Sequence, residues 1–159
     1  MVTRRGLTQW HVSHEEMIDL IISQQHERIE AAELSHQQML LAIMTDLVRL
    51  QETHPGHLKI FFEHFRELPA EVRASVSQKR DHYRNMLIRV LADGKEAGSF
   101  VGDIDVELTA MAVLGMCNWT YQWFRSEGRL GAAEVANYFW SQILAGIDPT
   151  HDTSAAELA

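Results

Sequence analysis

The stretch Asp105–Gly128, DVELTAMAVLGMCNWTYQWFRSEG, decides how this chain folds. Wound with a period of 3.6 residues, it places Val106, Ala110, Val113, Cys117 and Phe124 on one face, with Tyr121 beside it. A second face carries Leu108, Met111, Ala112, Gly115, Trp119 and Trp123, mixed with Asn118 and Gln122. A helix that is apolar on two faces must be covered on both. A chain of 159 residues has few elements with which to sandwich one helix. The reading is that one face meets the domain's own core and the other meets a second copy of the chain. Aromatics and Met beside hydrogen-bonding Asn118 and Gln122 are typical of protein interfaces, and Gly115 and Ala112 let two helices approach closely.

The next segment repeats the pattern. Val135, Phe139 and Ile143 form a stripe that Ala136, Trp140, Leu144 and Ile147 widen past one face. Two such helices from each of two chains make a four-helix interface with two-fold symmetry. The candidate interface is Met111, Ala112, Gly115, Asn118, Trp119, Gln122, Trp123, Phe139, Trp140 and Ile143. The alternative is that both helices form the central core of a monomer.

Outward from this region the chain reads as helices with short connections. Ser13 three residues before Glu16 is a capping box, and it opens a helix to about Glu30. A polar break at Glu33 to Ser35 precedes a second helix carrying Met39, Leu40, Ile43, Leu47 and Leu50, which stops near His54-Pro55-Gly56. A short third helix, about 57 to 67, aligns Leu58, Phe61, Phe62 and Phe65. Pro69 suits the first turn of a long fourth helix, roughly 69 to 97, with Val72, Val76, Tyr83, Leu87, Val90 and Leu91 as its stripe and Gly98 as C-cap. Asp103 and Asp105 cap the fifth helix, which reaches about Arg125. The sixth runs from about Ala132 to Leu144 and stops at Gly146. No stretch alternates with period two. The expectation is an all-α fold of about six helices, one bundle-like domain over 13–147, with residues 1–12 as an arm and 148–159 as a loose tail.

Composition narrows the function. Lys and Arg total 14 against 22 Asp and Glu, a net charge of -8, which suits a stand-alone nucleic-acid binder poorly because phosphate affinity comes from Lys and Arg. A single cysteine, Cys117, excludes an internal disulfide and fits a reducing, cytoplasmic compartment. The apolar run from Thr109 to Cys117 is too short to span a bilayer, so no membrane partner is expected.

The middle helices can enclose an apolar cavity for a small molecule. Its candidate lining is Met39, Ile43, Phe61, Phe65, Tyr83, Met86, Val113, Cys117 and Tyr121. The same side chains would equally well pack on each other. Tyr83 and Tyr121 carry hydroxyls suited to a ligand carbonyl or to a backbone partner. Among nine histidines, His54, His57 and His64 lie close to Glu63, but neither HExxH nor paired ExxH occurs, so no metal and no cofactor is assigned. Cys117 has no base beside it in sequence and reads as a buried structural thiol. No catalytic residue is assigned.

These segments also carry a family likeness. Gly98, Phe100, Asp103, Asp105, Gly115, Asn118, Trp119, Tyr121, Trp123, Gly128 and Leu130 stand in the order found in the C-terminal part of TetR-family transcriptional regulators. Phe65, Arg66-Glu67-Leu68-Pro69 and Glu71-Val72-Arg73 add to it, and the resemblance covers about residues 10 to 147. The nearest subgroup is that of regulators of fatty-acid, steroid or other acyl-CoA metabolism. The resemblance implies a homodimer that senses a small apolar or acyl-CoA-like effector, as a repressor domain. In the family, three N-terminal helices carry a helix-turn-helix that reads DNA. Trp10-His11-Val12-Ser13-His14-Glu15-Glu16-Met17 resembles the junction just after that motif, with His14 where the family usually has Lys. The nine residues before Trp10 are too few for three helices. The chain therefore reads as the effector domain without its DNA-reading head, with residues 1–12 as a remnant of the end of that head or a disordered arm, and DNA is a partner only if a head is supplied. The alternatives are a small-molecule carrier without a role in transcription and a metal-dependent helical-bundle enzyme.

Overall fold

The computed structural model describes residues 33–54 and 57–150. Five α-helices appear there, with no strand among the described residues: α1 (His36–Thr53), α2 (His57–His64), α3 (Ala70–Glu96), α4 (Val106–Trp123) and α5 (Ala132–Ile147). A single 3-10 turn, Phe65–Glu67, joins α2 to α3. The all-helical expectation holds. The helix expected over 13–30, the arm 1–12 and the tail from 151 onward lie outside the described residues.

Local chemistry sets each boundary. Ser35 caps α1: its hydroxyl accepts the Gln38 N–H at 3.2 Å, and the Gln38 side chain accepts the Ser35 N–H at 2.9 Å. Pro69 stands one position earlier than expected, as the N-cap of α3 rather than within its first turn. At the other end of α3 the Gly98 and Ser99 N–H groups donate to Lys95 and Gly94 carbonyls, at 3.2 and 2.8 Å, with Gly98 at φ +71. That paired closure needs a left-handed residue, which glycine supplies without strain. Asp105 caps α4 by accepting the Leu108 N–H at 2.9 Å. That helix ends at Trp123 rather than Arg125, because Phe124 turns extended and buries its ring.

Helix α5 runs through Gly146 to Ile147, past the expected stop. Ile147 is buried, and its carbonyl accepts the Val101 N–H at 2.9 Å. Burying an Ile contributes about 1.5–3 kcal/mol, which outweighs the roughly 1 kcal/mol that glycine costs in a helix. At its N-terminus α5 is held by two carboxylates. Glu134 accepts the Gly131 N–H at 2.9 Å, and Glu52 at the far end of α1 accepts the Ala132 N–H at 2.8 Å. Both place negative charge where the helix dipole favours it.

These ties fix the arrangement. α1 packs against α3, α4 and α5. Its C-terminal end meets the start of α5 through Glu52, and its N-terminal end meets the loop after α3, where the His36 ring nitrogen lies 3.1 Å from the Ser99 hydroxyl. So α1 and α5 run antiparallel. Leu40, Ile43, Met44, Leu47 and Val48 of α1 form the spine of one core, joined by Leu87 and Leu91 of α3, Ala110, Val113 and Cys117 of α4, and Val135 and Ala136 of α5.

Candidate functional site

The expected lining residues separate into an inner and an outer group. Ile43, Tyr83, Val113 and Cys117, from α1, α3 and α4, are buried in one core cluster. Met39 and Met86 are half-buried and pack against it. Tyr121 and Phe65 stand further out. Tyr121 stacks on Phe62 with ring centroids 5.0 Å apart, and Phe65 carries the Arg80 guanidinium over its ring at 5.5 Å. Phe61 lies in α2, and its side chain is outside the described residues. Phe62 was legible as part of the aromatic face of α2 but was not among the expected lining. Its stack on Tyr121 is what joins α2 to α4 there.

Among the described residues two polar side chains without an aromatic ring, Thr120 and Gln51, are also buried. The Thr120 hydroxyl donates back to the Cys117 carbonyl, which satisfies it within α4. Gln51 occupies the last buried position of α1, where the sequence reading placed Leu50 on the stripe instead. The signal for Gln51 was its spacing of three and four from Val48 and Leu47. Cys117 is fully enclosed, and desolvation by burial pushes its thiol up to about 12. At pH 8 only about one such thiol in ten thousand is ionised. Native protein is therefore expected to react with iodoacetamide roughly a thousandfold more slowly than a free cysteine, and at the free rate once unfolded in guanidinium. Rapid labelling of the native chain, read by mass spectrometry, contradicts that burial.

His54 and His64 each lie against a neighbour in their own segment. The His54 ring lies 2.9 Å from the Thr53 hydroxyl and the His64 ring 3.0 Å from the Glu67 carboxylate. The His57 side chain is outside the described residues. Among the described residues no three His, Cys, Asp or Glu side chains converge on a point that would hold a metal. Nor, among them, is any helix long and apolar enough to cross a membrane.

The second face of α4 stands open. Leu108 is 68% exposed, Met111 54%, Trp119 61% and Trp123 45%. Ala112, Gly115 and Gln122 are exposed beside them, and Asn118 is half-buried. A Cβ built on Gly115 would meet nothing, so this flat strip of backbone is free of the chain's own packing. On α5 the pattern is different. Phe139, Trp140 and Ile143 are half-buried against the core, while Tyr138, absent from the expected interface, is 64% exposed. Trp123 joins the two helices edge-on to Phe139, centroids 6.3 Å apart. Large exposed apolar groups grouped this way mark an interaction surface.

Comparison with known proteins agrees with this architecture. The repressor KstR2 of Rhodococcus jostii is 28% identical over 149 residues, covering 88% of this chain and 72% of that protein. The structure of the ketosteroid regulator KstR2 of Mycobacterium tuberculosis superposes with a TM-score of 0.76 at 20% identity, covering 82% of this chain and 67% of that one. The regulator FadR of Bacillus subtilis, solved with stearoyl-CoA, superposes with a TM-score of 0.70 at 18% identity, covering 86% of this chain and 74% of its own. At these identities the two structures show the shared fold. A 20-residue stretch is also 85% identical to part of the deadenylation subunit pan2 of Aspergillus terreus, but it covers 2% of that protein and carries no fold. The match that decides is the family model described as the tetracyclin repressor-like C-terminal domain. It spans residues 33–147, most of this chain and every described helix, and the chain belongs to the TetR family of transcriptional regulators through that domain.

Proposed function

We propose that residues 33–147 form the effector-sensing and homodimerising domain of a TetR-type regulator, and that its effector is an apolar or acyl-CoA-like small molecule. The observation that carries this is the apolar interior between α1, α3 and α4, in a fold that in FadR accompanies stearoyl-CoA. Ile43, Tyr83, Val113 and Cys117 form the inner wall, with Met39 and Met86 as adaptable side chains at its edge. Phe65 and Tyr121 stand further out, and Phe61 completes the proposed lining. The exposed face of α4 pairs with the same face of a second copy, with Trp119 and Trp123 as anchors and Phe139, Trp140 and Ile143 behind them. DNA binding belongs to a helix-turn-helix head joined to this domain. Effector binding then acts by favouring one of two dimer geometries, which requires different affinities for the two. A copy without a head would still bind effector and would form mixed dimers with a full-length partner. No enzymatic role is assigned.

Titration with acyl-CoA esters of four to eighteen carbons tests the effector class. At about a hundred times its dissociation constant a true effector adds about 2.7 kcal/mol to stability, or roughly 5–10 °C in Tm for a chain of this size. No shift with any ester, and no small molecule carried through purification in native mass spectrometry, would sink the reading.

A further inference from the structure

Gln51 is a polar side chain in an apolar place. It lies in the last turn of α1, on the stripe of Met44, Leu47 and Val48, and is 8% exposed. Its amide nitrogen Nε2 is sealed from solvent and has no hydrogen-bond partner. The polar side chains that follow it in the chain are already engaged: Glu52 holds the Ala132 N–H, and the Thr53 hydroxyl donates to the Arg49 carbonyl. A donor buried this way loses its hydration and regains nothing, whereas Leu or Met of similar size would fill the position without that penalty.

Resting on the reading of this domain as a sensor of apolar molecules, we infer that the Gln51 amide is the polar anchor of the effector. It donates from Nε2 to a carbonyl oxygen carried on an otherwise apolar body. Apolar contact alone holds a ligand without orienting it. A few placed polar groups supply orientation and selectivity. The acceptor is a neutral one. Among the described residues no Lys, Arg or His side chain is buried, so no buried cation is there to balance a carboxylate. A thioester and a ketone offer the same oxygen.

Calorimetric titration of the full chain with two pairs of probes tests this. Stearoyl-CoA and its octadecyl thioether differ by one carbonyl, and androstane-3,17-dione and androstane differ by two ketones. The wild type is expected to prefer the carbonyl member of one pair by about 10- to 100-fold, and the pair that shows it tells thioester from ketone. Gln51→Leu is expected to abolish that preference, to leave affinity for the oxygen-free member within about twofold, and not to lower the Tm of the free protein. A preference that survives in Gln51→Leu, or a lowered Tm showing that the amide is already satisfied by water, overturns the anchor. Equal binding of both members of each pair by the wild type overturns the anchor and leaves the sensor reading standing. Binding of none of the four overturns both.

Discussion

Gly94→Ala is expected to destabilise the domain by about 1–3 kcal/mol, a fall in Tm of roughly 2–12 °C. Two effects of opposite sign compete at this position. Alanine is better than glycine inside a helix by about 1 kcal/mol, and Gly94, in the last turn of α3, can gain at most that much. Yet a Cβ there would fall on two carbons of the Phe100 ring and 3.0 Å from the His36 Cβ. The clash wins because Phe100 has nowhere to go. Its ring is 1% exposed, and its own N–H donates to the Gly94 carbonyl at 3.2 Å. The next residue, Val101, is tied to the Ile147 carbonyl. The chain folds back over α3 directly after the Gly98 closure, and only a bare backbone lets the ring lie flat against the helix. Phe100→Ala removes the obstacle at a loss of about 3–5 kcal/mol. In that background Gly94→Ala should turn neutral or stabilising, so the pair is strongly non-additive. Urea unfolding of both singles and the double checks it. Effects that simply sum would mean that the ring does not rest on the glycine.

The contrast between Gly94 and Gly98 shows what a sequence exposes and what it hides. Gly98 ends a long apolar period, so its role as a helix stop is local and legible. Gly94 interrupts nothing in the pattern, because its reason lies six residues on in a ring that only the fold-back brings above it. The buried face of α4 was legible in the same local sense: Ala110, Val113 and Cys117 are buried as periodicity requires, whereas Val106 is half-buried and Phe124 is buried from the extended residue just past the helix. The end of α5 was not. Gly146 reads as a stop, and only the burial of Ile147 and its bond to Val101 explain why the helix continues. Glu52 reads as an ordinary surface carboxylate, and its role as a cap on α5 comes from an element 80 positions away. Gln51 falls between these cases. Its spacing places it on the buried stripe, but polarity argued for the other side, and burial won. Ile43, Tyr83, Val113 and Cys117 lie in one buried cluster because periodicity puts each on a buried stripe, whereas the place of Tyr121 depends on its stack against Phe62 of α2.

Trp119→Asp is expected to raise the dimer dissociation constant by about 30- to 1000-fold, the effect of removing an aromatic anchor worth about 2–4 kcal/mol and burying a charge in its place. Trp119 stands 61% exposed, its indole edge-on to Tyr121 at 6.0 Å, with Leu108 and Met111 exposed along the same strip. Since the side chain does little for the folding of one copy, its loss should leave Tm at low protein concentration nearly unchanged. Gly115→Leu separates association from folding still more cleanly. Nothing in the chain lies within 4 Å of a Cβ at Gly115, so the substitution clashes with nothing. Leucine also favours the helix over glycine, by up to about 1 kcal/mol. A single copy should become slightly more stable, yet two helices that must cross at Gly115 can no longer approach, and the dimer should fail. Trp140→Ala provides the opposite signature. Trp140 is half-buried against the core, so its truncation should lower Tm at every concentration. Sedimentation velocity from nanomolar to micromolar, run beside thermal unfolding, reads both axes. A wild type that stays monomeric at micromolar concentration removes the interface altogether. A Gly115→Leu protein that dimerises as well as the wild type moves the contact off this strip of α4 and onto the Tyr138 side of α5.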